Sequence, residues 1–555
     1  MDTMGQAHRV SRRSVLRWAM AGTAGLLASG TGILGCRSEP TALVPRAGDG
    51  SAGPTSRSEA TTTGPVLGEP EVLTSHDGQL DVELTAAVGS VPLAGRSAHT
   101  AAYNGAIPGP TLRLRPGDRV RLDLANELNE PTNLHFHGLH VPPDGTADNV
   151  FVSLQPGARR HYDFVIPDDH PGGTFWYHPH RHGLVAHQVH AGLYGAIVID
   201  GTVDELAPVS QARPRLLVLS DITLDDRGRV PEATPPQRMM GREGALVMVN
   251  GQLRPRLTAS AGGLERWRVL NASVSRFYRL QVQGHRLVVI GSGAAALATP
   301  ERREDVLLAP GQRVELLVQV GDAGSYDIVS LPYDRGAAMP MGMGPRGGDS
   351  GDARGPGGGM GPGGGMRPGG GMGPGGGSTR GDGADVTGTD QTVVLATLQS
   401  GDSSTSTRSL SIPGSLVPVA DLSGDTVART RQVEFGMRMG PGGPRFLIDG
   451  QTFDAERVDN AVRLGTTEDW VVHNATPMDH PFHLHTWPFQ VLDGPDATPG
   501  RRRWQDVVNV PANDSVRVRI RFRDFGGRSV YHCHILDHED LGMMAVVAAE
   551  QSAAS

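Results

Sequence analysis

The sequence predicts an all-β chain of successive β-sandwich domains, and three observations carry that reading. From about residue 71 onward, short runs alternate apolar and polar side chains. Val120, Leu122 and Leu124 interleave with Arg and Asp, and Val516, Val518, Ile520 and Phe522 interleave with Arg517, Arg519 and Arg521. Period-two alternation marks strands with one buried face. Gly, Pro, Asn and Asp punctuate the runs, and no long amphipathic helix competes with them. Three sandwiches of ordinary size fit the roughly 480 residues after residue 70.

Composition narrows the function. Hydrophobic residues make up 38% and charged residues 20% of the 555, so the chain can bury cores and wholesale disorder is excluded. All 51 basic residues are Arg, set against 59 acids, for a net charge of -8. No basic excess exists to grip phosphates, which argues against nucleic acid as a partner. The two cysteines, Cys36 and Cys533, lie far apart and define no disulfide framework.

Taken in chain order, Ser11-Arg12-Arg13-Ser14-Val15-Leu16-Arg17 precedes a weakly apolar run from Trp18 to Leu34 that is broken by Gly22, Gly25, Gly30 and Gly32. This looks like a twin-arginine export signal. The run is shorter and more polar than the roughly 20 apolar residues of a membrane span. At its end, Ile33-Leu34-Gly35-Cys36 resembles a bacterial lipobox, in which the Cys is lipidated and becomes the new N-terminus; the plainer alternative is an export signal cut nearby. Residues 1–35 then form the signal and residues 36–70, rich in Ser, Thr, Gly and Pro, a flexible tether. The expected location is the periplasm or the outer face of the cell membrane, with the lipid as the one membrane contact. Removing residues 1–35 deletes four Arg and one Asp, which takes the net charge to -8 - (4 - 1) = -11.

The expected domains cover residues 71–205, 206–405 and 406–550. Residues 336–377, inside the second, hold 21 Gly in 42 positions and cannot fold alone. Six methionines recur there: Met339, Met341, Met343, Met360, Met366 and Met372. Such a thioether array suits Cu(I). The plainer alternative is a repeat-expanded surface loop, since lengthening a short turn this far costs only about 2 kcal/mol.

Histidine spacing carries the chemistry. Random placement of 21 His would give about 0.8 His-x-His pairs. Five occur: His135/His137, His178/His180, His180/His182, His483/His485 and His532/His534. Residues two apart on a strand share a face, so each pair offers two imidazoles to one locus. Spacing alone leaves the overlapping triple at 178, 180 and 182 unresolved. The most specific segment is His532-Cys533-His534-Ile535-Leu536-Asp537-His538-Glu539-Asp540-Leu541-Gly542-Met543. If residues 532–534 are extended, the Cys533 thiolate faces away from both flanking imidazoles, so different metals are served back to back. Cys533, His538, a weakly bound Met543 and one further His make a blue-copper donor set. The upstream His480-Pro481-Phe482-His483-Leu484-His485 supplies that His and another same-face pair.

These motifs resemble those of the multicopper oxidases, in particular the three-domain, laccase-like bacterial branch that includes cuprous oxidases. Asn104-Gly105 through Pro108-Gly109-Pro110-Thr111 and Pro116-Gly117-Asp118 resembles the family's first domain, and Val249-Asn250-Gly251 with Trp267-Arg268-Val269-Leu270-Asn271 its middle domain. The resemblance implies three consecutive cupredoxin-like Greek-key sandwich or barrel domains and four copper ions. Carried over position by position, it implies His480, Cys533, His538 and Met543 as type 1 ligands, and His135 and His483 as type 2 ligands. His137, His178, His180, His485, His532 and His534 match the type 3 pair, the Trp176-Tyr177-His178-Pro179-His180 context favouring 178 and 180 over 182.

The implied function couples one-electron oxidation of a small reducing substrate to four-electron reduction of dioxygen to water. Cu(I) is the favoured donor, with Fe(II) and phenols as further donors and a laccase acting on phenolic substrates as the alternative. Cys533 passes electrons to His532 and His534, and Glu539 and Asp148, or Asp144, are candidates for delivering protons. Met239, Met240, Met437, Met439 and Met478 extend a thioether path, and Asp479 is a candidate for holding a cation. A monomer is expected. Among rivals, a copper nitrite reductase needs fewer His pairs, a zinc hydrolase has no use for a Cys between two ligands of other metals, and a copper-free structural relative would lack the ligands. A copper-sequestering protein remains the physiological alternative.

Overall fold

The computed structural model describes residues 64–336, 391–401, 412–495, 497 and 502–551. The signal, the lipobox, most of the tether and the Gly/Met-rich run from residue 337 lie outside the described residues. Both ends of these expectations shift. Residues 64–70 already belong to the fold: Leu67 is buried in the middle core and its N–H donates to Arg256 O at 2.9 Å. Gly336 likewise belongs to it, bridging to Met478.

The described chain folds into three two-sheet sandwiches. The first joins sheets of five and four strands, the second sheets of six and five, and the third sheets of six and five. Each encloses its own apolar core, built on residues such as Leu122 and Ile197 in the first, Trp267 and Leu316 in the second and Val518 and Phe522 in the third. The longest helix among the described residues is Val185–Ala191, seven residues long.

The same local devices recur three times. Asn104-Gly105, Asn250-Gly251 and Asp449-Gly450 turn tight hairpins, with φ of +51° at the first residue of each. Asn, Asp and Gly tolerate that conformation, which is why these pairs stand there. A parallel strand pair follows in each sandwich: Gln79–Leu93 with Arg119–Glu127, Arg213–Ile222 with Leu264–Asn271, and Val427–Gly440 with Thr466–Asn474. A buried Asn ends or nearly ends the second strand of each pair. Asn126, Asn271 and Asn474 each donate to two or more main-chain carbonyls of the neighbouring loop or strand end and accept the N–H two residues on. These clamps fix where the chain crosses to the other sheet, and in the third sandwich the clamped loop leads into His480.

Strand polarity departs from simple alternation in several strands, Leu264–Asn271 and Ser515–Phe522 among them. In Ser515–Phe522 the even-numbered apolar residues are buried, but so is Arg519. Its guanidinium pairs with Asp469 at 2.6 Å and donates to Leu422 O and Ser423 O. A buried cation persists because it is fully paired.

Candidate metal centre

Cys533 ends the strand Gly527–Cys533, which lies beside His480–Leu484 with Phe482 opposite Cys533 and His483 opposite His532. The pleat sends Cys533 into the third core and its two neighbours the other way. Cys533 Sγ lies 3.2 Å from His480 Nδ1 and 4.0 Å from His538 Nδ1, and the two Nδ1 atoms are 3.2 Å apart. All three side chains are buried. The far nitrogens are occupied. Thr476 Oγ1 donates to Asn474 Oδ1, so it accepts from His480 Nε2–H at 2.8 Å, and His538 Nε2–H donates to Met239 O at 3.1 Å. Both tautomers are thereby set with the Nδ1 lone pairs aimed at Cys533. Ile535 N–H donates to the sulfur at 3.3 Å, and Phe446 stacks on the His538 ring at 3.9 Å. Met543 is buried in the same turn, its N–H donating to His538 O and its carbonyl accepting from Cys533 N–H. Burial drives the Cys533 thiol well up from its ordinary range, so metal uptake must expel a proton.

The remaining eight histidines meet between the first and third sandwiches. His180 Nε2 and His485 Nε2 lie 3.2 and 3.1 Å from His532 Nε2. His135 stacks on His485 and His137 on His483, with ring centroids 3.8 and 3.9 Å apart. The His534 ring sits 4.9 Å from that of His137 and 5.9 Å from that of His178. Burial depresses all of them, His178 to about 3 and His532 to about 4, which keeps the imidazoles neutral at pH 7. His182 stays outside these groups, its ring packed on Phe453 at 4.7 Å.

The acids divide clearly. His135 Nδ1–H donates to both Asp148 oxygens at 2.9 Å, Phe136 N–H donates to the same carboxylate, and burial raises Asp148 to about 7. Asp144 is exposed. Glu539 is fully buried 3.7 Å from His180 Nδ1 and 3.4 Å from His532 Nδ1, with neither oxygen in a hydrogen bond, and burial raises it well above the usual carboxylate range. Asp479 is not open to a cation: Tyr333 Oη–H, Asn509 Nδ2–H and Ala512 N–H donate to it at 2.5, 2.8 and 2.9 Å.

Sequence reasoning missed Asp506 and Arg313. Asp506 O accepts from His483 Nδ1–H at 2.7 Å, and its carboxylate lies 2.8 Å from both Arg313 Nη1 and His137 Nε2. Arg313 comes from the middle sandwich, and no spacing in the sequence links either residue to the His pairs.

The donor chemistry tests whether metal belongs here. His135 Nε2, His178 Nε2, His483 Nε2 and both nitrogens of His534 are buried without a hydrogen-bond partner. Leaving each such group unpaired costs about 1–3 kcal/mol. A concentration of neutral, unpaired imidazoles fits metal ligation, and the soft thiolate of Cys533 with His480, His538 and Met543 fits copper.

Comparison with known proteins agrees. Multicopper oxidase family models match residues 86–204, 216–342 and 426–553. The chain is 26% identical over 462 residues to the multicopper oxidase mco of Staphylococcus aureus, covering 82% of this chain and 84% of that protein. It is 26% identical over 551 residues to the multicopper oxidase MmcO of Mycobacterium tuberculosis, covering 93% and 94%. Among solved structures, a multicopper oxidase from Campylobacter jejuni, described as a metallo-oxidase, superposes with a TM-score of 0.71 at 27% identity, covering 88% of this chain and 96% of that one. The fold is three-domain and cupredoxin-like. With three matched domains and the histidine and cysteine clusters between and within them, the chain belongs to the multicopper oxidase family, oxidases that work with four copper ions, one of type 1, one of type 2 and two of type 3.

Proposed function

We propose that this oxidase takes single electrons from Cu(I) and reduces dioxygen to water at a trinuclear site shared by the first and third domains, and that it serves copper tolerance. One observation carries the reading: Cys533 faces His480 and His538, while His532, joined to it by one peptide bond, faces His180 and His485. Copper, when bound, supplies the one-electron redox chemistry that delivers four electrons to dioxygen.

His480, Cys533, His538 and Met543 hold the type 1 ion. His135 and His483 hold type 2, and His137, His178 and His534 with His180, His485 and His532 hold the type 3 pair. The short Nε2 approaches around His532 and the ring contacts of His534 support this division. The covalent path from Cys533 Sγ through the backbone to His532 and His534 links the two centres without a gap. Asp148, poised near neutrality beside His135, and Glu539, beside His180 and His532, deliver protons.

Several features favour Cu(I) over a phenol. Met543 offers a thioether to the type 1 site, which favours a modest potential and easily oxidised donors. Gly336, where the Met-rich run begins, pairs with Met478, two residues before His480. On the hairpin over this site, Met439 is 61% exposed, Met437 is half-buried opposite Phe446, and Phe446 stacks on His538. A line of thioethers and one ring thus runs from solvent to a type 1 ligand. The Campylobacter jejuni relative's description as a metallo-oxidase points the same way. Export by the twin-arginine pathway, attachment through Cys36 and a monomeric state complete the proposal.

Oxygen uptake with Cu(I), Fe(II) and a phenol, on the intact protein and on one lacking residues 337–377, tests the substrate. The deletion should lower cuprous oxidation selectively. Equal loss on all donors, or no loss, would contradict recruitment by the Met-rich run.

A further inference from the structure

The middle domain contributes none of the twelve ligands assigned above, yet it reaches into the type 1 site. Its segment 239–243 lies against the turn Leu536–Asp540 of the third domain. Met239 O accepts from His538 Nε2–H at 3.1 Å. Arg242 is buried and grips the buried Asp537 through its guanidinium at 2.6–3.1 Å and through its own N–H at 2.8 Å. Leu536 N–H donates to Val274 O, and Ser275 Oγ–H donates to Arg242 O.

The segment is itself held from behind. Glu243 pairs with Arg276 at 3.1 Å and with the buried Arg335 at 3.2 Å, and Arg335 Nη2–H also donates to Gly241 O at 3.3 Å. Gly241 adopts φ +79°, and a Cβ there would come within 2.7 Å of Ile535 Cγ2 and Ser275 Cβ. A side chain at 241 would therefore push the 239–241 backbone away from the third domain, and the Met239 carbonyl on that backbone decides which nitrogen of His538 carries the proton.

We propose that Arg242 and Asp537 are positioning residues of the type 1 centre: their ion pair holds the 239–243 segment so that Met239 O fixes the tautomer and orientation of His538. The proposal rests on His538 being a type 1 ligand. An ion pair that served only to glue two domains together would affect stability and leave the spectrum alone. One that positions His538 alters the ligand field at the copper.

The test uses the full-length, copper-loaded protein. Arg242→Gln and, independently, Gly241→Ala should retain four coppers per chain while shifting the type 1 absorption maximum, changing its copper hyperfine splitting and displacing its reduction potential. Arg242→Lys, which keeps the charge without the fork, should fall between wild type and Arg242→Gln. Arg238→Gln, exposed on the short helix that leads into the segment, should leave all three readouts at wild-type values. Wild-type spectra and potential in both Arg242→Gln and Gly241→Ala, with only a lowered melting temperature, would overturn the proposal. If Arg242→Gln does not fold, Gly241→Ala decides alone. His538→Ala separates the two levels: an unchanged type 1 band in that variant would show that His538 is not a ligand and overturn the underlying assignment instead.

Discussion

Burial in the same cluster gives neighbouring residues different chemical roles. The histidines are stripped of water and held neutral, ready to ligate, while the carboxylates beside them are pushed towards their protonated forms. Asp148 is the clearest case. Its folded value of about 7 lies above the ordinary 3.8, so burying its anion costs stability that grows as pH rises from about 4 to about 7. At neutral pH the group is poised to gain and lose a proton. Asp148→Asn, isosteric but unable to titrate, should slow oxygen reduction by about tenfold or more while reduction of the type 1 site by the donor stays fast. Stopped-flow reduction followed by steady-state oxygen uptake separates the two steps. Unchanged turnover would reduce Asp148 to a support for His135.

At the scale of elements, the Asn clamps explain how similar sandwiches acquire different duties. Asn126 and Asn474 hold equivalent crossings, but only the Asn474 loop carries Thr476, the hydrogen-bond partner of His480. Truncating either to Ala removes three or more hydrogen bonds made by a buried side chain, a loss of about 2–4 kcal/mol. Denaturation midpoints should fall for both variants, and the type 1 band should move in Asn474→Ala alone. A moved band in Asn126→Ala, or an unmoved one in Asn474→Ala, would break the link from Thr476 to His480. The strands and paired histidines were legible in the sequence because period-two alternation and His-x-His spacing are local signals. The alternation of Val516 to Phe522 could be read directly; the burial of Arg519 could not, because Asp469 lies on another strand. Arg313, Asp506 and the Met239 carbonyl escaped for the same reason, since each acts through a contact between segments separated along the chain; Thr476, four residues from His480, escaped because a single Thr carries no spacing signal. The Asp479 expectation failed because Tyr333, Asn509 and Ala512 use its oxygens, and none of these is near it in sequence.

Across the whole molecule, the first and third domains each bring four of the eight clustered histidines, and the middle domain supplies Arg313 and the 239–243 segment. Neither outer domain holds a complete cluster alone, so metal binding and domain assembly are coupled. The arrangement pivots on Cys533, the one described cysteine, buried with its neighbours turned the opposite way. Copper analysis with electron paramagnetic resonance on the wild type and on Cys533→Ser addresses that pivot most directly. The wild type should hold four coppers per chain, with one type 1 and one type 2 signal, and Cys533→Ser three, with the type 1 signal and blue colour gone and the type 2 signal intact. A Cys533→Ser protein that keeps its blue colour, or a fully loaded wild type that holds zinc or fewer than four coppers, would contradict that role for Cys533.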